Sequence, residues 1–470
     1  MLFNSAVFLL LFALAYLLYW HLSLRWKHAV ITLTSLIFYA WYSLGFLVLF
    51  LLIIGINFYL SNQLIKNKSR LLLWIGLTID LGNLAFFKYF YLFAEGIGSL
   101  IGNEYVSHLR LNWRADHDFE IFLPIAISFY TFQVIAYLVD SYRGTVSEKV
   151  SFRRYFLFIM FFPQFIAGPI MRSGDFIPQI DNPRPTLDRT INGCLLLMQG
   201  TVKKVLIADR LGALIGPVYA NPEGYDATTL IFLTPAFAAQ VYADFSGYTD
   251  MARGMAHLMG YDIPENFRAP YLARTTGEFW RRWHITLSSW LRDYIYIPLG
   301  GSRVGTLRSY FNLVLTMALG GLWHGADWTM LLWGTFIGVD LVVERFMDQR
   351  GIRVLPEGRL ADRFRILITF FKFCLGLLLF ASPSMDQFVA IVQGLLTWQR
   401  GIPVANFGAM LGLSVAGILW TIPQGFEGLR TWLHTHRNVR LAFSTVGVFV
   451  VGLLVSLYGD ASGSFIYFQF

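Results

Sequence analysis

The sequence contains little charge and little cysteine. Aspartate, glutamate, lysine and arginine make up 14% of its 470 residues, whereas an ordinary soluble domain has about 25%. Its two cysteines, Cys194 and Cys374, lie in apolar runs, which argues against a disulfide framework and a cysteine zinc site. The sequence has no P-loop, no G-x-S-x-G motif and no spacing typical of a structural metal site. We therefore expect no metal.

Hydrophobic residues are abundant instead, at 56% of the chain, and aromatic residues account for 17%. Apolar segments follow one another almost to the C-terminus, without a long polar region between them. This pattern predicts an all-α polytopic membrane protein that forms one domain over residues 1–470. The net charge of +8 comes from short basic loops, which are typical of the cytoplasmic side of a membrane and not of a nucleic-acid-binding module.

The basic loops predict a path through the membrane. Residues 1–20 lack a basic start and a cleavage site, so we expect a first span whose N-terminus lies outside the cytoplasm. Residues 155–170 and 285–299 are short, interrupted and basic on both sides, which predicts two re-entrant segments around a cavity that opens to the cytoplasm. The other predicted spans cover residues 30–44, 45–60, 71–93, 120–139, 205–219, 230–245, 310–322, 330–343, 366–380, 407–421 and 441–457. The last of these would end outside.

The stretch 280–299 combines arginines, a histidine and aromatic residues. Four of its polar residues would share one face of a continuous helix, at positions i, i+3, i+7 and i+11: Arg281, His284, Ser288 and Arg292. Together with Arg282 they favour a site for an anionic ligand such as a phosphate-bearing cofactor, and Trp283 is expected to line it. The alternative is a basic helix that contacts anionic lipid head groups.

A second histidine, His324, follows Trp323 and lies between glycines. Gly321 and Gly325 have the spacing of small residues at a close helix contact. We expect no lysine or arginine near His324, so that a neutral imidazole would be available as a general base, oriented by Asp327 three residues later. The alternative is a histidine that only hydrogen-bonds a neighbouring helix, but ionisable groups inside a membrane favour a functional interpretation.

A third polar cluster occupies residues 242–250. It contains two aspartates, two tyrosines and a serine within an apolar run. Asp244, Ser246 and Tyr248 are candidates for the lining of a cavity. Asp244 and Ser246 are also plausible helix N-caps, and this structural alternative is the favoured one.

Six motifs in this order resemble those of a known family. They are residues 124–133 (PIAISFYTFQ), 162–169 (FPQFIAGP), 244–250 (DFSGYTD), 278–288 (EFWRRWHITLS), 291–301 (LRDYIYIPLGG) and 320–326 (GGLWHGA). The chain resembles the membrane-bound O-acyltransferases, in particular the bacterial branch that O-acetylates alginate and related exopolysaccharides. The resemblance is strongest over residues 120–345 and weaker over the C-terminal helices of 364–470, where it rests mainly on 465–470 (FIYFQF).

The resemblance implies a ring of roughly 11–14 transmembrane and re-entrant helices around a central tunnel. It implies that His324 is the catalytic histidine, that His284 is the second polar residue of the site, and that no cofactor is permanently bound. Acetyl-CoA would be the donor, reached from the cytoplasm past Arg281, Arg282, Ser288 and Arg292. The acceptor would be a polysaccharide or a periplasmic acetyltransferase partner, and the chain would lie in the lipids of the bacterial inner membrane.

Other functions remain open at this stage. The acceptor could be peptidoglycan, cellulose or teichoic acid, the last with a D-alanyl donor. A transporter or flippase that moves an acyl group or polymer without chemistry is a different class. Release of the CoA thiol separates an enzyme from such a transporter.

Overall fold

The computed structural model describes residues 3–109, 123–165, 168–421, 432 and 435–458. This part of the chain is built from helices, with one isolated β-bridge between Tyr225 and Ile402, so the predicted all-α fold is confirmed. The helices are α1 Ala6–His21, α2 Leu24–Ala40, α3 Leu44–Lys66, α4 Arg70–Leu84, α5 Phe90–Leu100, α6 Ile127–Arg143, α7 Phe152–Ile159, α8 Leu187–Val202, α9 Asp209–Ala220, α10 Ala227–Leu258, α11 Thr276–Arg282, α12 Ile285–Leu291, α13 Thr306–His324, α14 Trp328–Gln349, α15 Arg359–Ala381, α16 Met385–Leu396, α17 Phe407–Leu419 and α18 Arg437–Tyr458.

Five helices of the described chain are long and apolar enough to cross a membrane: Leu44–Lys66, Arg70–Leu100, Leu187–Ala220, Arg359–Ala381 and Asn438–Tyr458. The chain is therefore a multi-pass membrane protein, as its composition predicts. The total number of spans and the central tunnel stay predictions. The C-terminal motif 465–470 lies outside the described residues, and so do residues 166–167 of the motif 162–169 and residues 120–122 of the predicted span 120–139.

The centre of the fold is α10, a 32-residue helix. Every residue from Val241 to Ala252 on it is buried. It packs against α8, which continues through a π-helical segment, Lys203–Ala208, into α9. The sequence prediction that this span begins at residue 205 was wrong, because the two lysines that resemble a loop flank are buried inside the helix.

Four glycines bring the backbones of α8 and α10 into contact. A Cβ atom on Gly200 would lie 2.5 Å from the carbonyl oxygen of Gly247, and one on Gly193 would lie 2.9 Å from that of Gly254. The two pairs are seven residues apart on both helices, so they recur along one shared face. Small residues at such positions allow close helix approach inside a membrane.

The helices α13 and α14 form a similarly close hairpin. A Cβ atom on Gly321 would lie 2.2 Å from the carbonyl oxygen of Met330, and one on Gly334 would lie 2.3 Å from that of Met317. The predicted role of Gly321 in a close contact is confirmed. Gly325 does not share it, because the helix ends at His324 and Gly325 follows in extended conformation.

The stretch predicted as one helix over 280–299 is interrupted. Helix α11 ends at Arg282, α12 begins at Ile285, and a π-helical segment follows at Arg292–Tyr296. Between α11 and α12, the backbone of His284 adopts a left-handed conformation with φ +43°. Residues other than glycine rarely adopt this conformation. The expectation that Arg281, His284, Ser288 and Arg292 share one helical face was therefore wrong. The second segment predicted to be broken, 155–170, contains the end of α7 and a separate four-residue helix, Phe162–Phe165.

Candidate active site

The two histidines of the sequence analysis lie side by side. His284 occupies the left-handed bend between α11 and α12, and His324 is the last residue of α13. Their ring centroids are 6.5 Å apart with an interplanar angle of 70°. Both side chains are buried, with exposed fractions of 0% and 5%. The fold thus brings together two proton-transfer groups that are 40 residues apart in sequence.

Aromatic rings enclose this histidine pair. The ring of His324 contacts Trp323 at 4.8 Å, Trp333 at 5.1 Å and Phe380 at 5.5 Å between centroids. The ring of His284 contacts Phe245 at 4.6 Å, and it lies 5.9 Å from Trp323. Such walls limit access of water, and in a setting of low dielectric constant a developing charge interacts strongly with nearby dipoles.

The bend at His284 is held by Asn266. The backbone oxygen of Asn266 accepts a hydrogen bond from the Ile285 amide at 3.0 Å, and its side-chain Oδ1 accepts one from the Thr286 amide at 3.1 Å. These amides belong to the first turn of α12, whose donors have no partner within the helix. The same Oδ1 lies 3.2 Å from Nδ1 of His284. Asn266 therefore fixes both the backbone and the ring of this histidine.

The end of α13 is held by the π-helical segment Ala85–Tyr89. Lys88 Nζ donates hydrogen bonds to the carbonyl oxygens of Trp323 and, at 3.3 Å, of His324. The hydroxyl of Tyr89 donates to the carbonyl of Leu322 at 2.7 Å. A cation at a helix C-terminus is stabilised by the helix dipole. The expectation that His324 has no cationic neighbour was wrong, because Lys88 arrives from a segment 236 residues away.

The sequence motifs meet around the two histidines. Phe132 stacks on Trp290 at 3.8 Å and on Trp323 at 5.3 Å, and Trp290 Nε1 donates to the Phe132 carbonyl at 2.9 Å. The Ile170 amide donates to the hydroxyl of Thr286 at 3.0 Å. Residues from three of the motifs, together with Ile170 and Trp290 directly beside two others, thus form one wall of the site.

The four predicted donor-binding residues differ from one another in their partners and exposure. Arg282 pairs with Glu278 at 2.6 Å, and the exposed Arg292 pairs with Asp293 at 2.7 Å. The hydroxyl of Ser288 donates to the Trp283 carbonyl at 3.3 Å. Arg281 is exposed, and no carboxylate in the described part of the chain forms an ion pair with it. Of the four, Arg281 is the most available to an anionic ligand.

The carboxylate of Glu278 is also bound by a backbone amide. The amide of Arg274 donates to it at 2.7 Å. Burial acts to raise the pKa of the Glu278 carboxyl, but this hydrogen bond and the Arg282 guanidinium hold that pKa below its usual range. Arg282 therefore has a stable anionic partner, which a phosphate would have to displace or share.

Trp283 lies in an aromatic cluster and Asp327 at the start of a helix, and the role of Trp283 in lining the site stays a prediction. Trp283 packs in an aromatic cluster, with Phe267 at 5.0 Å and Phe373 at 5.3 Å between ring centroids. Asp327 is the N-cap of α14 and accepts a hydrogen bond from the Thr329 amide at 2.8 Å. The argument that Asp327 orients His324 across one helical turn was wrong, because the helix ends at His324.

The cluster 242–250 forms buried ion pairs in mid-helix. Asp244 pairs with Lys204 at 2.8 Å, and Lys204 also pairs with Asp209 at 2.9 Å. Lys203 pairs with Asp250 and donates to the hydroxyl of Ser246 at 2.9 Å. The favoured alternative, that Asp244 and Ser246 cap a helix, was wrong, because both lie inside α10.

Tyr248 belongs to the same buried region. Its ring stacks on Phe3 at 5.2 Å and lies 5.8 Å from Lys204 Nζ. It thus packs within the core beside the ion pairs. Two sequence signals could have indicated that the lysines are buried ion-pair partners. One is the match between two adjacent lysines and the two aspartates on α10, and the other is the equal glycine spacing on both helices.

A cleft lies beside Trp333, whose ring also contacts His324. Trp280 and Trp333 line it, and so do Asp340 and Lys372, which pair with each other at 2.7 Å. The hydroxyl of Thr276 donates to the Asp340 carboxylate at 2.5 Å. Within the described residues, no group of histidine, cysteine and carboxylate side chains is arranged to hold a metal ion.

A buried histidine pair inside a helical membrane protein has the groups needed for proton transfer away from water. Comparison with known proteins agrees with this class. The model of the MBOAT, membrane-bound O-acyltransferase family, matches residues 145–382, just over half of the chain. The chain belongs to this family, and its membership supports O-acyltransferase activity.

Two curated relatives cover most of the chain. A protein named probable alginate O-acetylase AlgI from Pseudomonas aeruginosa is 37% identical over 92% of this chain and 82% of its own length. A peptidoglycan O-acetyltransferase from Helicobacter pylori is 32% identical over 84% of this chain and 80% of its own length. A teichoic acid D-alanyltransferase from Bacillus subtilis is more distant, at 26% identity over 56% of this chain and 70% of its own length.

Proposed function

We propose that this protein transfers acetyl groups from cytoplasmic acetyl-CoA toward hydroxyl groups of an extracytoplasmic polysaccharide. The observation that carries the proposal is the enclosed pair of His284 and His324 at the junction of the family motifs. The similarity to alginate O-acetylases over most of the chain favours a polysaccharide acceptor. The acceptor hydroxyl would belong to the polymer itself or to a serine of a periplasmic partner that passes the acetyl group on.

In the proposed reaction, His324 is the general base. Its imidazole takes the proton of the acceptor hydroxyl while the hydroxyl oxygen forms a bond to the thioester carbonyl carbon. The carbon–sulfur bond then breaks, and the sulfur takes the proton from the imidazolium. The products are an acetyl ester and CoA with a free thiol. General-base catalysis of this kind contributes roughly 10²–10⁴-fold in rate.

The other site residues would serve the donor. Arg281 would attract the phosphates of acetyl-CoA at the cytoplasmic face, since guanidinium groups bind phosphate in a bidentate manner, and Arg282 and Arg292 would add positive potential. His284, three residues from Arg281, would polarise the thioester carbonyl or guide the donor toward His324. The protein would lie in the bacterial inner membrane with both termini outside the cytoplasm.

The test compares His324→Ala with His21→Gln, a substitution of an exposed histidine at the end of α1. Membranes with matched expression receive labelled acetyl-CoA and the cell's own acceptor fraction, and both free thiol and acetylated polymer are measured. We expect His324→Ala to lose at least 100-fold of both signals and His21→Gln to retain them. Undiminished acetylation by His324→Ala would refute the assigned role, and acetylation without thiol release would refute acetyl-CoA as donor.

A second acceptor is favoured by one specific similarity. The Helicobacter pylori relative, named a peptidoglycan O-acetyltransferase, covers almost as much of this chain as the alginate O-acetylases. Mass spectrometry of the exopolysaccharide and peptidoglycan fractions from cells with and without the protein separates the two. Loss of ester-linked acetyl groups from peptidoglycan alone would replace the exopolysaccharide proposal.

A further inference from the structure

We infer that Asn266 is a positioning residue that sets the tautomer of His284, so that the ring carries its hydrogen on Nδ1 and presents a lone pair at Nε2. The inference deepens the proposed function and rests on it for its catalytic meaning. Asn266 lies in the loop between α10 and α11, 18 residues before His284. Asn266 belongs to none of the six sequence motifs.

The first step is the orientation of the Asn266 amide. Its Oδ1 lies 3.1 Å from the backbone nitrogen of Thr286, and a backbone amide can only donate a hydrogen bond. If the side-chain amide were flipped, two donors would face each other. The hydroxyl of Thr286 agrees, because it accepts from the Ile170 amide at 3.0 Å and is therefore free to donate its own hydrogen to Oδ1 at 2.9 Å.

The second step is the state of the ring. Nδ1 of His284 lies 3.2 Å from the same Oδ1. Since that oxygen is an acceptor, Nδ1 must carry a hydrogen for the contact to be favourable. A neutral imidazole has one hydrogen on its two nitrogens, so Nε2 is left as an acceptor. The hydrogen bond to one ring nitrogen thus decides the role of the other.

This tautomer excludes one of the two roles proposed above for His284 and indicates a third. A neutral ring with a lone pair at Nε2 cannot donate a hydrogen bond from that atom to a thioester carbonyl. It can accept one, and in the proposed reaction the acceptor hydroxyl is the substrate group that carries a hydrogen to donate. His284 would therefore hold the hydroxyl in place beside His324 rather than polarise the carbonyl.

The fold supports a rigid arrangement here. The left-handed conformation of His284 is costly for a residue with a side chain. It persists because Asn266 binds the backbone amides of the two residues that follow His284 and also contacts the imidazole ring. The ring contact with Phe245 at 4.6 Å restricts it further. Asn266 is itself buried, with an exposed fraction of 1%, so water does not compete for Oδ1.

The test is nitrogen-15 NMR of the full-length protein in lipid nanodiscs, with labelled histidine. The signal of His284 is identified by its absence in His284→Gln. We expect a protonated Nδ1 and an unprotonated Nε2 in the native protein. An Nε2–H tautomer in the native protein would overturn the inference, and this measurement requires no substrate, no turnover and no variant at Asn266.

Three variants at this junction separate positioning from general stability. Asn266→Leu removes the acceptor, and we expect the His284 signal to change to the other tautomer or to a mixture. Asn266→Asp keeps an acceptor oxygen and should retain Nδ1–H. Thr286→Val removes a different hydrogen bond to the same oxygen and should also retain it. An unchanged spectrum in a folded Asn266→Leu protein contradicts the inference.

Activity gives a second readout. Asn266→Leu should lower kcat roughly 10- to 100-fold, the range known for partners that orient metal-binding histidines, with little change in the KM for acetyl-CoA, and Asn266→Asp should recover part of the loss. If the native protein shows Nδ1–H but transfers no acetyl group, the proposed function fails while the tautomer stands. If Asn266→Leu raises KM and leaves kcat unchanged, the positioning role fails while the proposed function stands.

Discussion

Lys88 is the single residue whose position most changes the interpretation of His324. Its side-chain nitrogen donates hydrogen bonds to the carbonyls that end α13, so it holds the helix end beside the histidine. Lys88→Met leaves these carbonyls without their cation. Stabilisation of a helix end by a charge is worth about 0.3–2 kcal/mol, and a factor of ten in rate corresponds to about 1.4 kcal/mol.

We therefore expect Lys88→Met to lower acetyl transfer by about ten-fold, with Lys88→Arg closer to the native rate. Lys149→Met removes an exposed lysine and serves as the control for charge loss alone. Initial rates in membranes and melting temperatures of the purified proteins are the measurements. A native rate for Lys88→Met would show that the end of α13 is positioned without this cation.

Residue types alone identified the two histidines, because an ionisable side chain in an apolar membrane segment is unusual. The partners of those histidines could not be found in this way. Asn266 lies in a loop without a recognisable motif, and Lys88 lies inside the predicted span 71–93. Each acts through the chain's three-dimensional path, on a residue 18 or 236 positions away. Local spacing carries no information about such contacts.

At the scale of elements, the contact between α8 and α10 organises the centre of the fold. The glycine pairs allow the two backbones to touch, and the buried lysines of the π-helical segment then reach Asp244 and Asp250. Inside a membrane a buried ion pair needs this proximity, because breaking one by removing a single partner costs about 3–5 kcal/mol. The sequence predicted helices here but not their continuity, since Lys203 and Lys204 resemble a loop when their partners are unknown.

Gly247→Ala tests this contact. A Cβ atom there would lie 2.8 Å from the Gly200 carbonyl oxygen, which is backbone and cannot rotate away, and overpacking of this kind costs about 1–3 kcal/mol. Gly55→Ala on α3 is the matched control, because nothing lies within 4 Å of a Cβ atom at Gly55. We expect a lower melting temperature in detergent for Gly247→Ala and no decrease for Gly55→Ala. Equal melting temperatures for both variants would contradict the close contact.

At the scale of the whole molecule, two spans that begin at predicted cytoplasmic loops meet at the active site. The 19 residues of α13 extend about 28 Å at 1.5 Å per residue, so His324 lies a full helix length from Arg308. Lys88 lies a similar distance from Arg70, along α4 and the π-helical segment that continues it. His284, in contrast, is only three residues from the exposed Arg281. If Arg281 holds the donor, the cytoplasmic surface of the protein must therefore be recessed toward the membrane centre at α11 and α12.

The predicted orientation can be tested with single cysteines. Both native cysteines are free and can be replaced by alanine, after which one cysteine is introduced at Glu223 or at Arg353, two exposed positions. Glu223 lies in an acidic turn before α10, and Arg353 lies in the basic segment after α14. The positive-inside rule places the basic segment in the cytoplasm.

On intact spheroplasts, a membrane-impermeant maleimide should label Glu223→Cys directly, whereas Arg353→Cys should react only after the inner membrane is permeabilised. Both variants must retain acetyl transfer, so that the labelled protein is the folded one. Because Arg281 is followed within 30 residues by the basic residues Arg303 and Arg308, the same orientation is expected to place Arg281 on the side where acetyl-CoA is made. Labelling of Arg353→Cys in intact spheroplasts would show that the membrane orientation is opposite to the predicted one. A cytoplasmic donor would then have no route to His284 past Arg281.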